Sequence, residues 1–408
     1  MLGQPRLKTH WLEVIFRPFR RVTTSGRYIA EIDGLRFIAI GTVFFQHIQQ
    51  VAANAGTASG VQWDATASLI ERTRIGVELF FVISGFILAL PFASNRLRGD
   101  TPVSLPAYYK RRLTRLEPPY VLCMLLCFVW VVLGTGLSAR EMLPHLLAHL
   151  GYVHNLVYQE FSPINSVVWT LEIEVQFYLL APLLATVFLI PRRLVRRLAI
   201  LFIAFVDIGV VHLWLKHYGG MRPSLIGSLP FFLAGFMIAD LYCCEWDTRP
   251  KSRRMYDLLA FLGWSFLPLL WLRSSPATYM PFILFFLVFC SFQADLFRSL
   301  LRSPVIATTG GMCYSIYLIH LKLMWAVSPW LKGFAPTRLV SINGVILCVV
   351  LGLPILLVSA VYFGCIERPC MKKDWPQRLW AWLRQKRSVP TEDSPGGSRP
   401  LPPVPTRR

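Results

Sequence analysis

The sequence predicts an all-α fold, a polytopic membrane helix bundle of about ten transmembrane helices, and three observations carry that prediction. Of the 408 residues, 54% are hydrophobic and only 16% charged, with a mean hydropathy of +0.49. The apolar residues come in blocks of roughly 20, long enough to cross about 30 Å of hydrocarbon. Basic residues cluster in the short segments between blocks, on alternate sides. That clustering also explains the net charge of +20, from 42 Lys and Arg against 22 Asp and Glu. The excess is a topology signal, which makes the bilayer the partner and excludes nucleic acid.

Ten spans follow, at about 33–53, 75–93, 117–136, 167–190, 197–215, 224–242, 257–273, 277–295, 304–329 and 339–364. RPFRR, YYKRRLTRLE, PRRLVRR, RPKSRR, FRSLLRS and the stretch from Arg368 onward fall on one side. The opposite loops, 54–74, 216–223 and 330–338, carry fewer basic residues, so both termini are expected in the cytoplasm. Residues 141–158 are apolar but short and hold three histidines, which predicts a partly buried or interfacial helix on the outer side. Three regions result: a basic cytoplasmic segment 1–30, a membrane domain 31–371, and a cytoplasmic tail 372–408. That tail is expected to be largely disordered, because 385–408 is rich in Pro, Gly and Ser. No cleavable signal peptide is expected, since RPFRR follows a short apolar piece. The nine cysteines show no CxxC spacing, so no metal site is expected.

Ionisable residues inside spans are costly and mark cavities or partners. In the first span Arg36 and His47 are eleven residues apart, three turns plus about 20°, so they share a face and stand roughly 16 Å apart along the axis. Asp33 joins that stripe, with Arg36 toward the cytoplasm and His47 in the outer half. The second span opens with Glu78 and holds Ser84 and Gly85 mid-span, where small residues mark close helix packing. Before the third span, Arg112 and Arg115 lie three apart on one face, read either as topology markers or as a phosphate clamp. In the fourth, Glu172 and Glu174 point about 200° apart and cannot share a task. Glu174 shares a strip with Thr170, Phe177 and Tyr178. Its depth of roughly 12 Å is close to the roughly 9 Å of His47, which predicts a carboxylate supporting an imidazole base. Glu172 is expected to be lipid-shielded or interfacial. In the ninth span His320 follows Tyr317 by three residues, and the structural reading of this histidine is preferred slightly over a second active-site role.

In order, these stretches resemble the acyltransferase 3 family of integral-membrane acyltransferases, bacterial O-acetyltransferases among them. IDGLRFIAIGTVFFQH resembles its first-helix pattern of arginine, ten residues and histidine, and GVELFFVISGFIL its second-helix stretch. RRLTRLEPPY is similar to its RxxR segment, WTLEIEVQFYLLAPLL to its fourth-helix stretch, and CYSIYLIH and IERP complete the set over about residues 31 to 370. The chain departs from the pattern at Glu78, Glu172 and Val175. The resemblance implies an enzyme of the bacterial inner membrane that moves an acyl group, most often acetyl, from acyl-CoA to a hydroxyl of a carbohydrate or lipid-linked glycan. It implies His47 as general base, Glu174 beside it, and Arg36, Arg112 and Arg115 on the donor's phosphates. Asp33, Glu78, Trp169, Tyr178, Tyr317 and His320 are the supporting residues. Acyl-CoA is then a substrate, with no permanently bound cofactor. Some family members carry a C-terminal esterase-like domain; none is visible here, so a separate extracytoplasmic protein is a candidate partner. The rival from another class is a transporter or exporter of a glycan or lipid, which would use the same charges as a pathway. Neither inverted repeats nor paired broken helices are visible in the sequence to support it.

Overall fold

The computed structural model describes residues 17–21, 28–71, 75–218, 224–246, 254–270, 276–372 and 374–387. The chain divides into a unit up to Lys372 and a second one from Lys373. In the first, the helices are α1 (Ala30–Gly56), α2 (Ala65–Glu71), α3 (Gly76–Arg98), α4 (Leu105–Thr135), α5 (Ala139–Leu150), α6 (His154–Tyr158) and α7 (Trp169–Leu184). They continue with α8 (Arg193–Tyr218), α9 (Leu225–Cys244), α10 (Arg254–Leu270), α11 (Pro276–Gln293), α12 (Leu296–Leu301), α13 (Pro304–Gly311), α14 (Cys313–Val327) and α15 (Val340–Tyr362). No β-strand occurs among the described residues beyond two isolated bridges. A helix stands at each of the ten expected spans, and five of them, α3, α4, α7, α9 and α15 with their continuations, are long and apolar enough to cross a bilayer.

The outer surface of the bundle is apolar. On α15, Val345, Val349, Leu353, Leu357 and Val361 are all exposed, one every fourth residue, while Leu347, Ile355 and Ser359 face inward. A soluble protein would not leave such a stripe bare, and a membrane-spanning helix requires it. Inside, two apolar clusters form, one around α3, α7, α9 and α11, the other around α1, α4, α14 and α15; Phe80 packs against both.

Close crossings explain the small residues. A Cβ on Gly85 would collide with the Phe232 backbone of α9, and one on Gly235 of α9 with the backbone of Val82, Gly85 and Phe86. The two glycines therefore let α3 and α9 meet backbone to backbone, the packing role expected of the mid-span glycine. Where α8 meets α9, the fully buried Arg196 ion-pairs with Asp240, and Arg197 binds Asp240 at 2.8 Å and Glu245 at 2.6 Å.

Five expectations change. The third span starts twelve residues earlier, because α4 runs through Arg112, Arg115, Pro118 and Pro119 as one 31-residue helix. The ninth is broken between α13 and α14 at Met312. Residues 141–158 form two short helices, not one. Ser138 and Glu141 make a capping box at the start of α5. At the start of α6, Glu172 accepts hydrogen bonds from the backbone N–H groups of Asn155 (2.9 Å) and Leu156 (3.3 Å). The Glu172 side chain is thus a buried helix cap that ties α6 to α7, not a lipid-shielded group. In the second unit, 375–387 of the expected disordered tail is a helix, α16 (Trp375–Arg387), and 388–408 lies outside the described residues.

Two expected outcomes follow from this packing. Gly85→Val should destabilise the bundle by about 1–3 kcal/mol through overpacking at the α3–α9 crossing, read as a lower midpoint of thermal unfolding in detergent. The second concerns α5 and α6, where His145 Nδ1 and His154 Nε2 lie 2.9 Å apart and the His149 and His154 rings stack at 4.1 Å. Burial, then the neighbouring histidines, pushes His149 down to about 3; burial and His145 push His154 down to about 4, with Glu160 opposing. Both fold in the neutral form, so the packing is fully stable above the ordinary histidine value of about 6.5 and weakens as pH falls from there toward 4. Amide hydrogen exchange over 139–158, corrected for its intrinsic pH dependence, should accelerate between pH 7.5 and pH 5.

Candidate active site

A cavity of about 140 Å³ runs along the seam between the two clusters. Arg21, Arg36, Arg112, Arg115 and Glu367 are on its wall, as are Ser84, Thr170, Glu174, Tyr178 and Tyr317. Six of the residues singled out in the sequence therefore meet here: Arg36, Arg112, Arg115, Glu174, Tyr178 and Tyr317. Asp33, Glu78, Trp169, His47 and His320 are not on the wall.

The arginine end gathers four guanidinium groups. Asp33, almost fully buried, accepts from Arg36 Nη1 at 2.5 Å and lies 3.4 Å from Arg21 Nη1. Glu367 is buried and accepts from the backbone N–H of Ser315 at 3.1 Å and its hydroxyl at 2.5 Å. It reaches the cavity because the last helix widens into a π-turn over Phe363–Glu367, a distortion frequent at functional sites. Arg112 lies over the Tyr108 ring, 4.9 Å from its centroid, and Tyr108 donates to the Tyr178 carbonyl at 3.2 Å. Arg115 Nε is buried without a hydrogen-bond partner among the described residues. Four cations against two carboxylates, one with an unmet donor, suit an anionic ligand; phosphate oxygens fit guanidinium forks best.

Along the α7 wall, Glu174 accepts from Ser84 Oγ at 2.5 Å, and Tyr178 follows it one helical turn later. At the far end, Thr170 Oγ1 and the Tyr317 hydroxyl are 2.6 Å apart, and Tyr317 also donates to the Val167 carbonyl. The Tyr317 ring centroid stands 6.3 Å from that of His320.

His320, fully buried, has its Nδ1 2.9 Å from the Ile316 carbonyl and 2.8 Å from the Tyr317 carbonyl. Carbonyl oxygens only accept, so Nδ1 carries the hydrogen and Nε2 is an acceptor in the neutral ring. His47 Nδ1 lies 2.9 Å from that Nε2, and the rings stack at 5.1 Å. His47 must then donate from Nδ1, which leaves Nε2 as its basic nitrogen. The expected pairing of His47 with Glu174 is corrected by this geometry: His320 orients His47, and Glu174 turns toward α3 and Ser84. Equal depth on two helices does not bring their side chains together, since depth says nothing of the direction each faces.

Of the remaining residues, Glu78 lies in the first turn of α3, and Trp169 opens α7, its carbonyl 3.5 Å from Asn155 Nδ2. Arg21, Ser84, Thr170 and Glu367 were not identified as site residues from the sequence. Arg21 sits in RPFRR, which reads as a topology marker; for Glu367 the usable signal was the IERP motif itself.

The family profile described as an acyltransferase domain, acyltransferase 3, matches residues 29–363. O-acetyltransferase OatA of Staphylococcus aureus (strain MRSA252) is 25% identical over 395 residues, covering 89% of this chain and 60% of the relative. YrhL of Bacillus subtilis (strain 168), whose name associates it with peptidoglycan O-acetylation, is 27% identical over 217 residues, 50% of this chain and 31% of the relative. The chain thus spans about 60% of the length of OatA. No solved structure matches it significantly. With a profile match over most of its length, and with the arginine, glutamate and tyrosine motifs gathered around one cavity, the chain belongs to the acyltransferase 3 family of membrane proteins.

Proposed function

We propose that the protein is a membrane O-acetyltransferase that moves an acetyl group from acetyl-CoA to a hydroxyl of a carbohydrate or lipid-linked glycan. The observation that carries this reading is the His320–His47 pair, whose carbonyl-fixed tautomer leaves His47 Nε2 as a base. The names of the relatives agree with it. The arginine end faces the cytoplasm of a bacterial inner membrane in this reading, with both termini on that side. The phosphates of the donor bind Arg112 and Arg115, with Arg36 and Arg21 beside them, and the acyl-pantetheine arm enters the cavity toward Thr170 and Tyr317.

His47 Nε2 takes the proton of the acceptor hydroxyl as its oxygen attacks the thioester carbonyl. The tetrahedral intermediate collapses by losing CoA thiolate, and the proton passes from His47 to that leaving group. His320 positions His47 through its Nε2 and touches no reacting atom. Glu174, held by Ser84, lines the path of the arm. The acceptor approaches from the side of α5 and α6.

His47→Ala, at unchanged protein level in a membrane preparation, should lower transfer of labelled acetyl from acetyl-CoA by about a hundredfold or more. Retained transfer would sink the proposal. Arg115→Ala should raise KM for acetyl-CoA by about tenfold to a hundredfold, the range for losing a charged hydrogen-bonding partner. In steady-state assays kcat should change far less. Altered protein level or topology with unchanged KM would make this arginine a positive-inside marker only.

A further inference from the structure

A second cavity lies between α8, α9 and α11, and no step of the proposed reaction uses it. Its volume is about 300 Å³. Its apolar walls run from Pro230 to Leu241 on α9, with Ala204 of α8 and Phe282 of α11 opposite, and its one charged wall residue among those described is Arg197. Pro230 and Leu241 are eleven residues apart, about 16 Å along a helix. That is the depth of one leaflet of a hydrocarbon core about 30 Å thick. Phe282 is half-exposed, and Leu198, Phe202 and Phe205 on the adjoining surface of α8 are exposed, so the slit opens sideways toward lipid. Water would find no polar partners along these walls, whereas hydrocarbon fits them.

Charge at the Arg197 end identifies the class of lipid. Arg196 and Arg197 are neutralised by Asp240 and Glu245. Arg192 and Arg193 are exposed and form no ion pair among the described residues. Arg193 is one helical turn before Arg197, the charged residue of the slit wall. The two cations also stand where α8 begins, and a helix N-terminus favours an anion. We propose that this slit binds an anionic phospholipid, one acyl chain filling the apolar cavity and the headgroup phosphate held by Arg192 and Arg193. The site is structural and separate from acyl transfer.

The test uses the full chain purified in detergent and incubated with equal amounts of phosphatidylglycerol and phosphatidylcholine bearing identical chains, with bound lipid read by native mass spectrometry. The wild type should retain phosphatidylglycerol over phosphatidylcholine by about tenfold or more, given about 1 kcal/mol for each surface cation. Arg192→Gln with Arg193→Gln, both at exposed positions, should bring the two lipids to equal retention. Ala204→Trp should reduce retention of both by filling the slit; if that variant fails to fold, Ala234→Leu fills it less severely. Equal retention of the two lipids by the wild type would overturn the proposal. So would undiminished phosphatidylglycerol on a folded cavity-filled variant.

Discussion

The carboxylate of Asp33 is the point on which the site depends. It is 2% exposed and holds both Arg36 and Arg21. Without it two guanidinium groups would lose their ion-paired carboxylate inside a membrane bundle, leaving Glu367 alone against four arginines, an arrangement costly enough to loosen the packing. Its position is set by the backbone. A Cβ on Gly310 would strike the carbonyl of Asp33, one on Gly34 would strike Leu301, and one on Gly344 would strike Gln49. The helix α1 is thus pressed by α13 near its start and by α15 near its far end. This double clamp holds Arg36 and His47 on the spacing that their eleven residues dictate. Neutralisation is also incomplete: Asp33 and Glu367 offset only part of the charge of four arginines, and the surplus faces the cavity.

At the other end of α1 the requirement is reversed. A base in an apolar bundle must be neutral at rest and still have one defined nitrogen to accept a proton. Backbone carbonyls do this through His320 with no charge at all. A carboxylate beside His47 would have added an anion to be desolvated. In the proposed mechanism the His–His pair brings no carboxylate to the base, and the cation formed when His47 takes a proton can share its Nδ1 hydrogen with His320 Nε2. Glu174 keeps its place on the wall, where the Ser84 hydroxyl donates to it.

Much of this was legible in the residues, and the parts that were not have a common cause. The face shared by Arg36 and His47, the close packing at Gly85 and the helix at each expected span follow from period and composition, which are local. The partners of His47 and Glu174 depend on how each helix is rotated toward its neighbours, and that is set by tertiary packing. The same holds for Glu172, which read as an outer-span carboxylate and caps backbone groups sixteen and seventeen residues upstream. Glu367 needed a π-turn to swing it inward, a distortion that no pattern of apolar residues encodes. Gly310, two residues before the break at Met312, has no side chain and so admits the α1 backbone.

The opposite orientations of Glu172 and Glu174 on α7 give that helix two tasks, and a contiguous set of contacts connects them. Glu172 caps α6, and Asn155 of α6 also reaches the Trp169 carbonyl at the start of α7. The next residue, Thr170, contacts the Tyr317 hydroxyl; the Tyr317 carbonyl accepts from His320; and His320 accepts from His47. A displacement of α6 relative to α7 would therefore move the turn that holds Tyr317, and with it the carbonyl that fixes the histidine tautomer. The outer helices and the proposed base are parts of one hydrogen-bonded assembly, because a buried imidazole can be oriented only by groups that are themselves held in place.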